Sequence, residues 1–212
     1  MTPVSKTLHE KTEPELAALQ VDQVGNSCSF HAIVNGLRLL LGVALDPMEL
    51  SDEIDQIWKQ FRLMRTIPGW AVTPRQQVRI IRHVARTRGL AVTASYQHGE
   101  PETLPNTLAD TGAVPIITLV WLCKKAPPIY YGDKDRNHNA TQSMGGHTMV
   151  LAAYDTAHTS GTLSTPWGFI NPWKDDADQL FWMTDADFRK AWGFPLPLVG
   201  PNPLVVMRKT NP

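Results

Sequence analysis

Three residues able to do chemistry together stand far apart in this chain: Cys28, His147 and Asn171. A thiol is a strong nucleophile only as its thiolate, and a helix N-terminus favours that anion through its unpaired N–H groups and its dipole. Asn26 and Ser27 are good N-cap residues, so Cys28 is expected in the first turn of a helix. His147 follows Met144-Gly145-Gly146 and opens an apolar stretch, which puts its ring at a strand end facing a cleft. Gly145 and Gly146 leave room there for a second backbone or a substrate. Asn171 ends another apolar run before Pro172, and its amide oxygen would accept from the far imidazole nitrogen and fix the tautomer of His147. Trp173 would cover that contact, and Gln23 offers a side-chain amide as an oxyanion donor beside the Cys28 N–H. Each residue also has a plainer reading: a packing cysteine, a solvated loop histidine, a turn asparagine, a core tryptophan.

The competing groups are weaker. His31 lies three residues past Cys28 on the same expected helix and aims poorly at it. His98 and His138 sit in polar loops, and His9, His83 and His158 read as surface residues. There is no His-x-x-x-His or Cys-x-x-Cys pair, so no metal and no cofactor is expected. The only other cysteine, Cys123, allows one disulfide by arithmetic but no disulfide framework.

The elements that must position these residues fall into two halves. Residues 1–20 are polar and charged and read as a loose arm. Behind the Asn26-Ser27 cap, Phe30, Ile33, Val34, Leu37, Leu40 and Leu41 recur at helical spacing around most of the circumference, which predicts a buried helix ending at Gly42. Asp46-Pro47 opens a second helix running towards Met64, and Thr73-Pro74 a third that stops at Gly89. Residues 90–96 read as a strand. Residues 113–122 form a β-branched apolar strand, 124–146 a long loop carrying Tyr130 and Tyr131, and 148–154 another strand. A hairpin over 155–165 would return the chain as the strand 167–171 and set Asn171 beside His147. A short helix over 185–192 and a closing strand over 204–208 complete the series. Helices followed by strands predict an α+β domain, with a helical lobe over 21–112 and an antiparallel β lobe over 113–212.

The totals agree with a soluble enzyme and exclude other classes. Lys and Arg number 20 against 20 Asp and Glu, so no electrostatic footprint for nucleic acid or an anionic membrane is expected. No apolar run approaches the ~20 residues of a membrane helix, and the N-terminus has no apolar signal core. A cytoplasmic protein follows, with export by another route left open.

Taken in order, Gln23-x-x-Asn26-Ser27-Cys28-Ser29-Phe30, Gly146-His147 and Asn171-Pro172-Trp173 resemble the papain-like cysteine peptidase superfamily. The nearer likeness is to bacterial C39-like peptidases, through His147 to Asp155, Phe169 to Trp173, and Trp182-Met183-Thr184 leading to Phe188 and Trp192. The resemblance covers roughly residues 20–195. It implies a papain-like fold with the cleft between the lobes. It makes Cys28 the nucleophile, His147 the base, Asn171 the orienter and Gln23 the oxyanion side chain. A peptide or protein would be the substrate, with Tyr130, Tyr131, Gly145, Gly146 and Trp173 around it. Departures are the absence of an upstream cysteine and of a Trp after the nucleophile, and Asn171 where C39-like enzymes often carry Asp. Three activities fit these residues: hydrolysis through a thioester, acyl transfer of transglutaminase type, and binding without catalysis.

Overall fold

The computed structural model describes residues 4–23, 25–61, 72–122, 125–137, 141, 144–173, 178–195 and 200–210. Cys123, His138 and the reach of the second helix to Met64 lie outside them. The chain opens with β1 (Ser5–Thr7), a 3-10 turn (Leu8–Glu10) and α1 (Glu13–Ala17). Three longer helices follow: α2 (Cys28–Leu41), α3 (Pro47–Phe61) and α4 (Pro74–Arg88). Then come β2 (Val92–His98), α5 (Leu104–Leu108), β3 (Ala113–Leu122), β4 (Tyr130–Tyr131) and β5 (Lys134–Asp135). The remainder is β6 (Met144–Asp155), β7 (Thr159–Ser160), β8 (Leu163–Ser164), β9 (Trp167–Ile170), β10 (Phe181–Met183), α6 (Asp185–Trp192) and β11 (Pro203–Lys209).

The helices start and stop where side chains satisfy their ends. Thr73 and Gln76 form a reciprocal capping box at α4, and Gly89 closes it in the left-handed conformation. Gly42 does the same for α2. Asp46 accepts from the N–H groups of Met48 and Glu49 at the start of α3.

Among the described residues the strands form one large antiparallel sheet in the order β2-β11-β3-β6-β9-β10-β4-β5, with β1 added to the end of β6. β3 takes the first part of β6, from Leu122↔Met144 to Ile116↔Val150, and β9 takes the rest, from Val150↔Ile170 to Tyr154↔Trp167. The β7–β8 ribbon tips the β6–β9 hairpin, so the turn expected over 155–165 is present. Helix α2 is buried along almost its whole length and lies close on β11 and β3. A Cβ at Gly36 would sit 1.7 Å from the Met207 methyl, so only glycine lets the two backbones come this near without moving that side chain. Phe188 of α6 packs against Trp167, Phe169 and Trp192 at ring-centroid distances of 4.7, 5.8 and 5.2 Å. Aromatic pairs of this kind add about 0.5–1.5 kcal/mol each beyond their buried area.

Three expectations are corrected here. The N-terminal segment is not a loose arm: β1 pairs with β6, and Leu8, Leu16 and Ala17 are fully buried. Glu13 accepts from the Leu180 N–H and the Trp182 indole, so its charge pins the segment to β10 instead of solvating it. The division into a helical half and a strand half is not clean, because β2 from the first half pairs along all of β11. The 124–146 stretch is not one loop. It holds β4 and β5 and ends in β6, which begins at Met144 and so places His147 inside a strand opposite Leu119.

Candidate active site

The expected residues converge through four links, each made by a different pair of elements. The first is a side-chain hydrogen bond. His147 on β6 and Asn171 just past β9 meet because the β6–β9 hairpin aligns them, and His147 Nε2 lies 2.8 Å from Asn171 Oδ1. An amide oxygen only accepts, so the proton of this bond is on Nε2. The bond is dry: His147 is 2% exposed and Asn171 0%. Trp173 stacks on the imidazole at 3.9 Å between ring centroids and 14° between planes. Its N–H also donates to Asn171 Oδ1 at 3.3 Å.

The second link joins Cys28 to the same strand. Ser29, the residue after Cys28, donates its hydroxyl to that of Thr148, the residue after His147, at 3.2 Å. The third brings in the segment before α2: the Gln23 N–H donates to the Pro172 carbonyl at 2.7 Å, next to Asn171. The fourth fixes that segment to the helix. His31 Nε2 lies 3.2 Å from the Asp22 carbonyl, and Nδ1 lies 3.2 Å from the Ser27 hydroxyl. Ser27 occupies the N-cap position without capping the helix by its side chain.

The thiol's electrostatics oppose the expectation from its place in the chain. Cys28 stands first in α2, but burial pushes its pKa up from the ordinary value, and the bonds from Thr148 and Ser29 pull the other way without prevailing. Desolvation is the largest cause because the sulfur is walled in.

Gln23 reaches the site through its backbone. Its side-chain Nε2 donates to the Gly25 carbonyl, which occupies one amide proton, and its Oε1 is buried without a partner. Gly145 and Gly146 flank His147 on β6, but the space over Gly145 is filled by Trp121, whose ring would lie 2.6 Å from an added Cβ. That glycine is explained by packing of β3 on β6. Tyr130 and Tyr131 are not brought to the thiol or the imidazole. They lie on β4, beyond β9 and β10, three strand spacings or about 14 Å from β6 across the sheet. Tyr130 faces Trp182 across the β4–β10 pair, and Tyr131 packs on Phe181 and donates to Asp178 at 2.6 Å.

Several contributors were not anticipated. Gln20, 2% exposed, accepts from the Asn171 N–H at 3.2 Å and donates to the Gln179 carbonyl at 2.9 Å, so it braces the residue that orients the imidazole. Its spacing of three from Gln23 is the only hint in the chain. His158, read as a surface residue, is half-buried and stacks on Trp182 at 3.6 Å. Among the described residues no group of three or more His, Cys, Asp or Glu could hold a metal ion, and no helix is long and apolar enough to cross a membrane.

No protein-family model and no curated protein matches the chain. Its fold is similar to the crystal structure of a protein of Bacillus anthracis provisionally named a C39-like peptidase, with a TM-score of 0.53 and 14% identity. The match covers 99% of this chain and 100% of that one. At that identity the likeness concerns the path of the backbone, and the chain shares the mixed α/β fold of that protein.

Proposed function

We propose that the chain is a cysteine hydrolase that cleaves peptide or amide bonds through a thioester, with Cys28 as nucleophile, His147 as base and Asn171 as the residue that orients it. The observation that carries this reading is the dry 2.8 Å bond from His147 Nε2 to Asn171 Oδ1 under Trp173, built on the strand whose next residue accepts from Ser29, the neighbour of Cys28. A bond that protonates Nε2 leaves Nδ1 as the basic nitrogen.

As a substrate carbonyl arrives, Nδ1 of His147 takes the thiol proton and the sulfur forms its bond to the carbonyl carbon. The oxygen gathers negative charge and is met by the Cys28 N–H and by the remaining Nε2 proton of Gln23, a contact of the kind worth about 3 kcal/mol. Collapse of this intermediate breaks the C–N bond, and the imidazolium gives its proton to the departing amine. Water then attacks the thioester with the same base, releasing the acid and restoring the thiol.

A second reading has its own support. Cys28 is 6% exposed, His147 2%, and the Gln23 amide is partly used by Gly25. This closed arrangement suits a binding module that kept the fold without turnover. One experiment decides. Iodoacetamide labelling of Cys28, followed by peptide mass spectrometry to separate it from Cys123, is compared at neutral pH between wild type and His147→Ala. The hydrolase reading expects the variant to label at least ~10-fold more slowly, the loss typical of a missing general base. Equal rates in the two proteins overturn it. Where the rates differ, a peptide library profiled with wild type and Cys28→Ala identifies the bond cleaved, and products formed only with an added amine mark acyl transfer.

A further inference from the structure

Two side chains and one backbone N–H of the N-terminal segment close on the two ends of the β9–β10 connection. At the far end, Glu13 Oε1 accepts from the Leu180 N–H at 3.0 Å and from the Trp182 indole at 3.2 Å. At the near end, the Gln23 N–H donates to the Pro172 carbonyl at 2.7 Å. Gln20 spans both. Its Oε1 accepts from the Asn171 N–H at 3.2 Å, and its Nε2 donates to the Gln179 carbonyl at 2.9 Å. The segment that carries it is itself held in place. Glu15 accepts from the Thr12 N–H at 2.8 Å at the start of α1, Leu16 and Ala17 are fully buried, and the Gln20 N–H donates to the Ala17 carbonyl at 2.9 Å.

The direction of the Gln20 amide is set by its partners. A backbone N–H only donates and a backbone carbonyl only accepts, so the oxygen must face Asn171 and the nitrogen Gln179. Gln20 is buried with both ends of its amide bonded. Methionine would fill the same length with no amide to desolvate, so packing alone does not account for a glutamine here. Asn171, by contrast, is held at one end of its side chain. Its Oδ1 takes the His147 ring and the Trp173 N–H, while its Nδ2 is buried without a partner. It also stands one residue beyond β9, where the register with β6 ends at Val150↔Ile170. The aim of its amide at the imidazole therefore depends on where its backbone is set, and Gln20 holds that backbone at the N–H.

We propose that Gln20 is a positioning residue for Asn171, and through it for His147, so that the docked N-terminal segment is a functional part of the site. The inference rests on the reading of Cys28 as nucleophile and His147 as base. Gln20 acts at a distance from the sulfur: it fixes the Asn171 backbone, Asn171 Oδ1 fixes the Nε2 proton of His147, and the ring so held is turned for its task. A chain with this segment undocked would keep the residues borne on the sheet and lose their alignment.

The test is the second-order rate of iodoacetamide labelling at Cys28 at neutral pH in the full chain. It compares wild type, Gln20→Met, His147→Ala and the double variant, each read well below its Tm, with Cys123 separated by peptide mass spectrometry. Gln20→Met keeps the length of the side chain and removes both bonds. Misplacing a reacting group by about 1 Å can cost up to 100-fold, and a smaller shift of the ring should slow labelling about 10-fold. Because Gln20 acts through the ring, the double variant should label at the rate of His147→Ala alone, the non-additivity of residues that work as one unit. A merely structural role would change labelling by the same factor whether or not His147 is present, and that result overturns the inference. Gln20→Met labelling at or above the wild-type rate, with His147→Ala slowed, overturns it as well and leaves the hydrolase reading standing. His147→Ala labelling at the wild-type rate overturns both. Should Gln20→Met fail to fold by circular dichroism, Gln20→Asn keeps an amide that is one methylene too short to span Asn171 and Gln179, and is judged by the same comparison.

Discussion

Replacing Asn171 by alanine tests the site at its best-defined bond. The variant deletes the acceptor 2.8 Å from His147 Nε2 and 3.3 Å from the Trp173 N–H. Both donors are buried, and with Asn171 itself 0% exposed no bulk water stands ready to replace the amide. A buried donor left without a partner costs about 1–3 kcal/mol, and the longer Trp173 bond adds little to that. About 2 kcal/mol in a chain of this size lowers Tm by about 4–8 °C. The chemical effect is separate. Without an acceptor at Nε2 the ring no longer holds its proton on that side, and the stack on Trp173 at 3.9 Å permits rotation in plane. Misplacing a reacting group by about 1 Å can cost up to 100-fold, so Cys28 labelling should slow about 10- to 100-fold at neutral pH. The assays are differential scanning calorimetry and the second-order rate of iodoacetamide labelling, read well below the Tm of the variant. A variant that loses stability as described but labels at the wild-type rate refutes the orienting role. A variant with unchanged Tm refutes the view that the bond is dry and satisfied.

Three further outcomes follow from other parts of the fold. Gly145→Ala puts a Cβ 2.6 Å from Cζ2 of Trp121, an overpacking that costs about 1–3 kcal/mol; its Tm should fall by several degrees and Cys28 labelling should slow, since His147 is two residues away on the same strand. Arg88 and, secondarily, His83 hold the Glu53 carboxyl below its ordinary value. A depressed folded-state pKa means stability present above the unfolded value near 4.3 and lost as pH falls through the folded one. Glu53→Gln should therefore lower Tm by about 1–3 °C at pH 7, the yield of a partly exposed pair, and the difference should vanish in acid when followed by thermal melts across pH. Burial holds the His158 pKa down, with Glu13 acting in the opposite sense. The unfolded chain binds that proton more readily, so the contribution of the neutral stack on Trp182 is complete above about pH 6.5 and declines as pH falls below it. His158→Gln should flatten that part of the melting profile, and an unchanged slope would show that another group sets it.

What could be read from the chain and what could not divides by how local the information is. The positions of α4 and α6 follow from caps and punctuating glycines within a few residues of each end, and that of α2 from its apolar spacing and Gly42. The β6–β9 hairpin follows from two apolar runs about a turn's length apart, and hairpin pairing carried Asn171 to His147 without any knowledge of the rest. The N-terminal segment misled because its charges are scattered among its apolar residues, yet Leu8 and Leu16 suffice to anchor it once β6 offers a free edge for β1. Tyr130 and Tyr131 misled for the opposite reason. A loop long enough to reach the cleft was taken to reach it, but the chain turns back as β4 and pairs with β10 at the far side of the sheet.

The thiol itself gives the sharper lesson. A residue that opens a helix is expected to ionise readily, and that inference uses only neighbours in sequence. Whether it does is decided by what closes over it from elsewhere. Here Thr148 on β6, Thr118 on β3 and Gln77 on α4 come from positions 30 to 119 residues apart in sequence contact with one another and with Ser29, and no spacing in the chain marks them as partners. Burial by such a shell raises the cost of the bare anion, and Thr148 and Ser29 offset only part of it.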